Sequence, residues 1–306
     1  MVKAVCAILL GLALAVPLLA QAAAMEAAIV ISQADELHSS FVDALRAALP
    51  PDAPVRLSPA GSTDGRLDEA LLERADLAIA VGYPAAEALA RRESRPTLAV
   101  LVVEQSVRKL RARHPNARLY AIVLDQPPER QMSLIRSVLP DAHSVGVVLG
   151  LQSAPQRAAL SDAATRHGLT ALFAQVEDPS TLLESLDPLL ATTDLILATP
   201  DPAVSNAINV RPMLLTTYRR RLPVFAYSQA YVDAGALAAV FSSPADIARQ
   251  VADWLARGRR DRPEPPFTET PRYFRIAVNR QVARALRLAV PDDAQLAQAL
   301  GTGRPQ

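Results

Sequence analysis

Short apolar runs alternate with segments of helical spacing from residue 27 onward. The runs place apolar residues at consecutive positions, which is typical of strands buried on both faces of a parallel sheet. The segments between them, such as DELHSSFVDALRAAL, repeat apolar residues every three or four positions, as an amphipathic helix does. The pattern predicts strands at 27–32, 54–58, 77–82, 97–103, 118–125, 144–150, 170–176, 195–201, 223–228 and 236–242.

The pattern restarts near residue 118, and ten strands are many for one doubly wound sheet. In each half, a strand that ends in glycine precedes small or polar residues and a helix: LAIAVG before YPAAEALARR, and SVGVVLG before LQSAPQRAAL. We therefore predict an α/β protein with two Rossmann-like lobes, each a parallel sheet flanked by helices. A long helix, SPADIARQVADWLARGRR, then ends at the proline-rich RPEPPFTETP, and a final strand and helix follow in FRIAV and NRQVARALRL.

Residues 1–24 have the pattern of a secretory signal peptide: one cation, Lys3, then an apolar run and small residues at the end. A retained membrane anchor is the alternative, but a glycine and a proline interrupt the run. The only cysteine, Cys6, lies early in the run rather than at its end, which disfavours lipid attachment. We expect a periplasmic protein with a cleaved signal peptide, not a lipoprotein.

Composition excludes several classes of function. The 306 residues include 32 basic and 31 acidic side chains, and this balance argues against a nucleic-acid partner, which would need a basic surface. Signal cleavage would remove the one cysteine, so disulfides and thiol catalysis are excluded. The four histidines lie far apart in sequence, at His38, His114, His143 and His167. We therefore expect no metal site and no cofactor.

No catalytic motif stands out. IVISQAD follows the first strand where a dinucleotide-binding protein has a glycine-rich turn, and the sequence contains no P-loop. GSTDG at 61–65 resembles a nucleophile elbow only loosely, because threonine replaces serine. We predict that the protein is not an enzyme. An exported hydrolase that uses Asp201 or Asp233 with a nearby tyrosine is the alternative.

Polar and aromatic side chains collect where the predicted strands end. Ligands of open parallel sheets lie beside these carboxyl ends, where helix N-termini also offer backbone N–H groups. Capping and turn formation are the alternative explanation, and we expect them to account for about half of these residues. The tyrosines are harder to explain in this way, because only 4% of the chain is aromatic. The predicted ligand-binding residues are Ser32, Gln33, Tyr83, Gln105, Gln126, Ser153, Asp201, Ser205, Asn206, Tyr227, Ser228 and Tyr231.

Four segments together resemble the ABC-transporter substrate-binding protein family that includes tryptophan-binding lipoproteins: YAIVLDQPPERQMSLIRSVLPDAHSVGVVLG, DLILATPDPAVSN, LPVFAYSQAYVDAGALAAVFSSPADIARQ and FRIAVNRQVARALRL. The resemblance implies the type I periplasmic binding protein plan, in which two lobes joined by a three-strand hinge close on a small solute. It also implies delivery of that solute to an inner-membrane ABC permease. The turn at 82–85 matches the family's Gly-Thr-Pro-Ala turn, which adds Pro84 to the predicted ligand contacts.

The resemblance also implies how the chain divides. The N-terminal lobe would comprise residues 25–119 and 241–262, the C-terminal lobe 120–240 and 263–291, and the tail 292–306. Asp201 matches the aspartate of an Asp-Asn pair in the family, but Pro202 replaces the asparagine, so tryptophan is not assumed as the ligand. We expect a monomer that binds a small polar or amino-acid-like ligand without changing it. A ligand-sensing protein that acts on a receptor or regulator is the alternative.

Overall fold

The computed structural model describes residues 24–257 and 266–301, and within them two sheets organise the chain. The strands are β1 (Met25–Ile31), β2 (Val55–Ser62), β3 (Leu77–Val81), β4 (Thr97–Val102), β5 (Leu119–Val123), β6 (Ser144–Gly150), β7 (Thr170–Val176), β8 (Leu195–Ala198), β9 (Val224–Ala226), β10 (Ala238–Phe241), β11 (Thr268–Glu269) and β12 (Arg275–Val278). Both sheets have six strands, in the orders β11-β5-β4-β3-β1-β2 and β12-β10-β9-β8-β6-β7. Only the β10–β12 pair is antiparallel among the described strands. The predicted two-lobed α/β fold is confirmed.

Helices cover both faces of each sheet. They are α1 (Glu36–Ala48), α2 (Glu69–Arg74), α3 (Tyr83–Ala90), α4 (Glu104–Arg113), α5 (Pro128–Val138), α6 (Arg157–Arg166), α7 (Leu182–Thr192), α8 (Val210–Arg219), α9 (Gln229–Asp233), α10 (Pro244–Ala256), α11 (Arg280–Ala285) and α12 (Asp293–Ala299). Side-chain caps fix several of their starts. Ser243 and Asp246, for example, form a capping box at the start of α10, which satisfies backbone N–H groups that the first turn leaves free. None of the described helices is long and apolar enough to span a membrane.

Alternate side chains of β1 enter two different cores, which explains the unbroken apolar run in this strand. Ala27 and Ile29 pack on the face covered by α1 and α10, whereas Ala28 and Val30 pack on the face covered by α2, α3 and α4. The second lobe is built in the same way, with α5, α6 and α12 on one face of its sheet and α7, α8 and α9 on the other. Each strand thus has apolar surface to bury on both sides.

The chain passes between the lobes three times. β5 belongs to the first sheet, so the first crossing follows Val123; β10 belongs to the second, so the chain returns after Phe241. The third crossing lies between β11, in the first sheet, and β12, in the second. The predicted lobe boundaries place the crossings near Tyr120, Val240 and Pro263. The third crossing departs most from its predicted position, because it lies after β11. The reason is β11, a two-residue strand in a proline-rich segment, which shows no hydrophobic pattern.

Side chains tie the three crossings to one another. The Nε2 of Gln126 donates to the hydroxyl of Ser242 over 2.9 Å, and this hydroxyl donates to the carbonyl oxygen of Tyr273 over 2.7 Å. The guanidinium of Arg130 donates to the carbonyl oxygen of Pro271 over 3.0 Å and lies over the ring of Phe274. One short relay of hydrogen bonds, from Gln126 through Ser242 to Tyr273, therefore joins all three connections. We call it the hinge relay.

The structure describes the C-terminal segment up to residue 301 but not the N-terminal residues before 24. Residues 1–23 of the predicted signal peptide lie outside the described residues. The segment 292–306, which we expected to be a tail, contains α12, and Leu296 in this helix is buried in the core of the second lobe. Asp292 and Gln295 form a capping box that starts the helix. The C-terminal helix is thus part of the second lobe, because its apolar residues complete a core that α5 and β12 leave open.

Candidate functional site

Two of the predicted ligand-binding tyrosines lie against each other at the carboxyl end of β9. The ring centroids of Tyr227 and Tyr231 are 5.6 Å apart, with the rings edge to face at 64°. Tyr231 lies within α9, and Ser228 caps this helix: the Ser228 hydroxyl accepts a hydrogen bond from the backbone N–H of Tyr231 over 3.2 Å. Burial raises the pKa of both phenols, and the neighbouring hydroxyl of Ser205 acts in the opposite direction on each. Ser205, Tyr227 and Tyr231, from two different loops, therefore form one tyrosine cluster.

The phenol of Tyr231 stands out in this cluster. The residue is 4% exposed, and its hydroxyl is the one buried side-chain polar atom in the described residues without a hydrogen-bond partner. Ser205 lies close enough to oppose the rise in the pKa of Tyr231, but its hydroxyl donates to the carbonyl oxygen of Thr199 over 2.8 Å and makes no hydrogen bond of good geometry with the phenol. Buried polar groups are nearly always paired, so an exception calls for a physical reason. An unpaired phenol can donate to an incoming acceptor without breaking an existing hydrogen bond.

Asp201 and Ser153 also meet, but their contacts stay within the second lobe. One carboxylate oxygen of Asp201 accepts hydrogen bonds from the backbone N–H and the hydroxyl of Ser153, over 2.7 and 3.0 Å. The other accepts from the backbone N–H of Ala203 over 2.9 Å. Asp201 is only 1% exposed. Its carboxylate thus joins the loop after β6 to the loop after β8.

The predicted residues of the first lobe have structural contacts of their own. The hydroxyl of Ser32 donates to the carbonyl oxygen of Val81 and accepts from the backbone N–H of Ala85, at the start of α3. Gln33 donates to the carboxylate of Asp35 over 2.6 Å. The hydroxyl of Tyr83 accepts from Arg113, 3.4 Å away at the end of α4, so this ring lies along the outer helices. Pro84 is exposed in the first turn of α3.

The remaining predicted residues are dispersed. Gln126 is 7% exposed and belongs to the hinge relay. Gln105 lies partly exposed in the first turn of α4. The side-chain oxygen of Asn206 accepts from the backbone N–H groups of Ile208 and Asn209, which shapes the turn before α8. Capping and hinge contacts therefore use many of the strand-end polar groups, whereas the tyrosine cluster keeps an unpaired one.

Asp125, which the prediction did not include, connects the edges of the two sheets. Its carboxylate accepts from the backbone N–H of Glu104 in the first lobe over 2.7 Å and from the side chain of Gln156 in the second over 3.3 Å. Burial raises the pKa of Asp125, and the nearby Glu104 carboxylate adds to the rise. An aspartate directly after a buried strand was the available signal in the sequence. Asp125 therefore joins the start of α4 in the first lobe to the segment before α6 in the second, beside the first crossing.

No group of three or more histidine, cysteine or acidic side chains in the described ranges is arranged to hold a metal ion. The tyrosine cluster and the loops beside it offer phenol, hydroxyl and backbone groups rather than a charged pair. Such an arrangement can bind a molecule through ring faces and hydrogen bonds.

Comparisons with known proteins bear on the fold and on the family. Residues 71–296 match a family model described as ABC transporter substrate binding protein. No curated protein matches the chain. Among solved structures, a substrate-binding protein with adhesive properties from Clostridium difficile, in a ligand-free, open form, is similar with a TM-score of 0.68 and 16% identity, covering 89% of this chain and 97% of that one.

Two further solved structures share the fold. A conserved domain protein from Vibrio cholerae has a TM-score of 0.60 and 21% identity, covering 90% of this chain and 98% of its own. The ABC domain in complex with L-Trp from Streptococcus pneumoniae has a TM-score of 0.58 and 16% identity, covering 87% and 96% of the two chains. At these identities the likeness establishes the two-lobed fold.

Proposed function

Because the chain belongs to the ABC transporter substrate-binding protein family, we propose that it captures a small solute between its lobes by hinge closure and delivers it to an inner-membrane ABC permease. The solute is bound and released without chemical change. The family match supports the class of function. The fold it shares with the L-Trp complex from Streptococcus pneumoniae supports a small polar or amino-acid-like ligand.

The observation that carries the proposal is the hinge. Three short crossings join the lobes, and the hinge relay holds them side by side through Gln126, Ser242 and Tyr273. Rotation about a few loop residues is how two-lobed binding proteins close on a ligand. Asp125, bonded to both lobes beside the first crossing, lies where the two sheet edges approach each other during such a rotation.

Within the second lobe, the tyrosine cluster is the part of the proposed site that contacts the ligand most directly. Tyr227 and Tyr231 provide ring faces, and the unpaired phenol of Tyr231 provides a hydrogen bond. Asp201 is placed differently, because all its hydrogen bonds hold loops of its own lobe. We propose that Asp201 fixes the loops around the ligand site, whereas the tyrosines contact the ligand directly. In the first lobe, Gln33, Pro84 and Gln105 remain proposed contacts at the opposing edge.

Thermal shift measurements with a ligand panel test the function. The panel contains amino acids, nucleosides, organic acids and vitamins, and a bound ligand raises the melting temperature with the logarithm of its excess. Small-angle scattering should then show that the protein has a smaller radius of gyration with the best hit bound than without it, as closure of the lobes requires. Turnover of the hit, or binding without compaction, would argue against a closing solute-binding protein.

Export is the second part of the proposal. The signal-like residues 1–24 support a periplasmic location after cleavage. The intact mass of protein recovered from a periplasmic extract tests this directly. Loss of the first 22 to 24 residues supports it, because small residues there fit a cleavage site, and a full-length or lipid-modified chain in the membrane fraction contradicts it.

A further inference from the structure

A second concave surface lies in the first lobe, beside α1 at the free edge of the sheet. Its volume is about 310 Å³, and we call it the edge groove. Ile29 and Ile31 of β1 form its floor, and Val42 of α1 and Pro59 of β2 form its apolar walls. The groove is distinct from the tyrosine cluster, which is in the other lobe. A volume of this size is at the lower end of the range for small-molecule sites.

The groove lies where the cover of α1 over this face of the sheet ends, at the edge strand β2. α1 packs beside α10 over the centre of the sheet, and β2 is the last strand of the order. Gly61, at φ 99°, lets the following turn fold back on the end of β2: a Cβ there would lie 2.0 Å from the carbonyl oxygen of Arg66. A side chain at this position would push the backbone of Arg66 away from β2 and so change the groove.

The polar groups around the edge groove are not used inside the protein. Arg66, Ser39 and Ser62 line the groove, and in the part of the chain that the structure describes their side chains show no hydrogen bond or ion pair to other residues. Asp43 and Arg46, also at the rim, pair with each other at 3.5 Å. Since that pair is neutral, Arg66 gives the groove a net positive charge.

We propose that the edge groove binds a small amphipathic monoanion, a carboxylate attached to an aliphatic or aromatic body. The floor of Ile29 and Ile31 takes the apolar body, whose removal from water drives binding. The guanidinium of Arg66 holds the carboxylate through a planar, paired hydrogen-bond geometry. Among the described residues, Arg66 is the one unpaired cation that lines the groove, so it balances one negative charge and leaves the second charge of a dianion such as phosphate unbalanced. This ligand does not compete with the solute between the lobes.

Titration calorimetry with benzoate and octanoate on the full protein tests the proposal. Benzamide serves as the neutral match for benzoate, since it keeps the ring and loses the charge. Arg66→Gln removes the charge while keeping a long polar side chain, and should weaken binding of both anions about tenfold, because a charge-assisted hydrogen bond is lost. Ser39→Trp, an exposed position on α1, should abolish binding by filling the groove.

The matched control is Arg56→Gln. Arg56 is an exposed arginine of β2, and because side chains alternate along this strand it points to the opposite face from Leu57 and Pro59, which face the groove side. Arg56→Gln should leave binding of benzoate and octanoate to the edge groove unchanged, and so should Tyr231→Phe, which lies in the other lobe. The proposal is overturned if neither anion binds at millimolar concentration, if benzamide binds as tightly as benzoate, or if Arg56→Gln weakens binding as much as Arg66→Gln. Circular dichroism confirms that each variant is folded before titration.

Discussion

Gly150 lies directly against the carboxylate of Asp201, so that a Cβ on Gly150 would be 2.1 Å from Oδ1 and 2.3 Å from Cγ of Asp201. Real Cβ atoms do not approach other atoms so closely. The missing side chain gives Asp201 the room to bind Ser153 and Ala203 from a nearly solvent-free position. The glycine at the end of β6 is thus required by a packing contact within the second lobe.

Gly150→Ala should destabilise the protein by about 1–3 kcal/mol, because the added methyl group forces the loop after β8 to move. Urea unfolding measures the change. The same substitution in an Asp201→Ala background is the control, since it removes the atoms that the methyl group meets. A much smaller cost in that background is expected, and an equal cost in both would locate the strain elsewhere.

Ser242→Ala should cost about 1–3 kcal/mol in the free energy of unfolding, because it leaves the buried amide of Gln126 without its acceptor and the carbonyl of Tyr273 without its donor. Ser40→Ala is a suitable comparison. The hydroxyl of Ser40 is exposed and bonds only to its own helix at Leu37, so its loss should change little. Equal effects of the two substitutions in urea unfolding would contradict the hinge relay.

Tyr231→Phe should separate stability from binding. It removes a buried hydroxyl that has no partner, so the free protein should keep its stability or gain up to about 1 kcal/mol. Affinity for the interlobe solute should fall, because the phenol is the proposed hydrogen-bond donor. Chemical unfolding and calorimetry with a panel hit measure the two effects. A clear loss of stability in the free protein would show that the hydroxyl already has a partner.

Stability should fall in acid through Asp35. The backbone N–H of His38 and then the side chain of Gln33 hold the pKa of Asp35 down, from its ordinary value of 3.8 to about 2. A carboxyl with a lowered pKa stabilises the fold above its unfolded value, and this contribution is lost as the pH falls from 3.8 towards 2. Unfolding curves between pH 5 and pH 2 should show wild type losing its advantage over Asp35→Asn, which keeps a helix cap without the charge. A constant difference between the two proteins would contradict the assignment.

The fold was predictable because its two sheets are covered on both faces. Continuous apolar runs such as β1 indicate that arrangement directly, as the separate cores around Ile29 and Val30 show. β11 was missed, since two residues are too few to carry a pattern, and α12 was taken for a tail although Leu296 is buried. The hydrophobic pattern of a segment therefore predicts elements with a full apolar face, such as β1. It fails for short elements such as β11 and α12, which bury only a few residues against a neighbouring element.

The candidate site was less predictable, because the partners of polar groups lie far away in sequence. Gln126 bonds to Ser242, 116 residues later, and Ser153 to Asp201, 48 residues later. Nothing near Gln126 or Asp201 in the sequence indicates that these groups are already paired. The rule that ligands bind at the carboxyl ends of parallel strands selected Tyr227 and Tyr231, and these two rings are in contact in the fold.

The threefold passage of the chain between the lobes determines the order in which the cores can be completed during synthesis. Phe41 of α1 and Ile247 of α10 share one core, and β11 supplies the outer strand of the same lobe. At about 5–20 residues per second, the ribosome needs roughly 10–40 s to reach α10 after finishing α1. During that interval the whole second lobe except its last segments is made, while the apolar face of α1 has no helix beside it. The nascent chain therefore presents an unfinished first lobe until α10 has been made, and a chaperone or translocase that binds exposed apolar segments has that period in which to engage it.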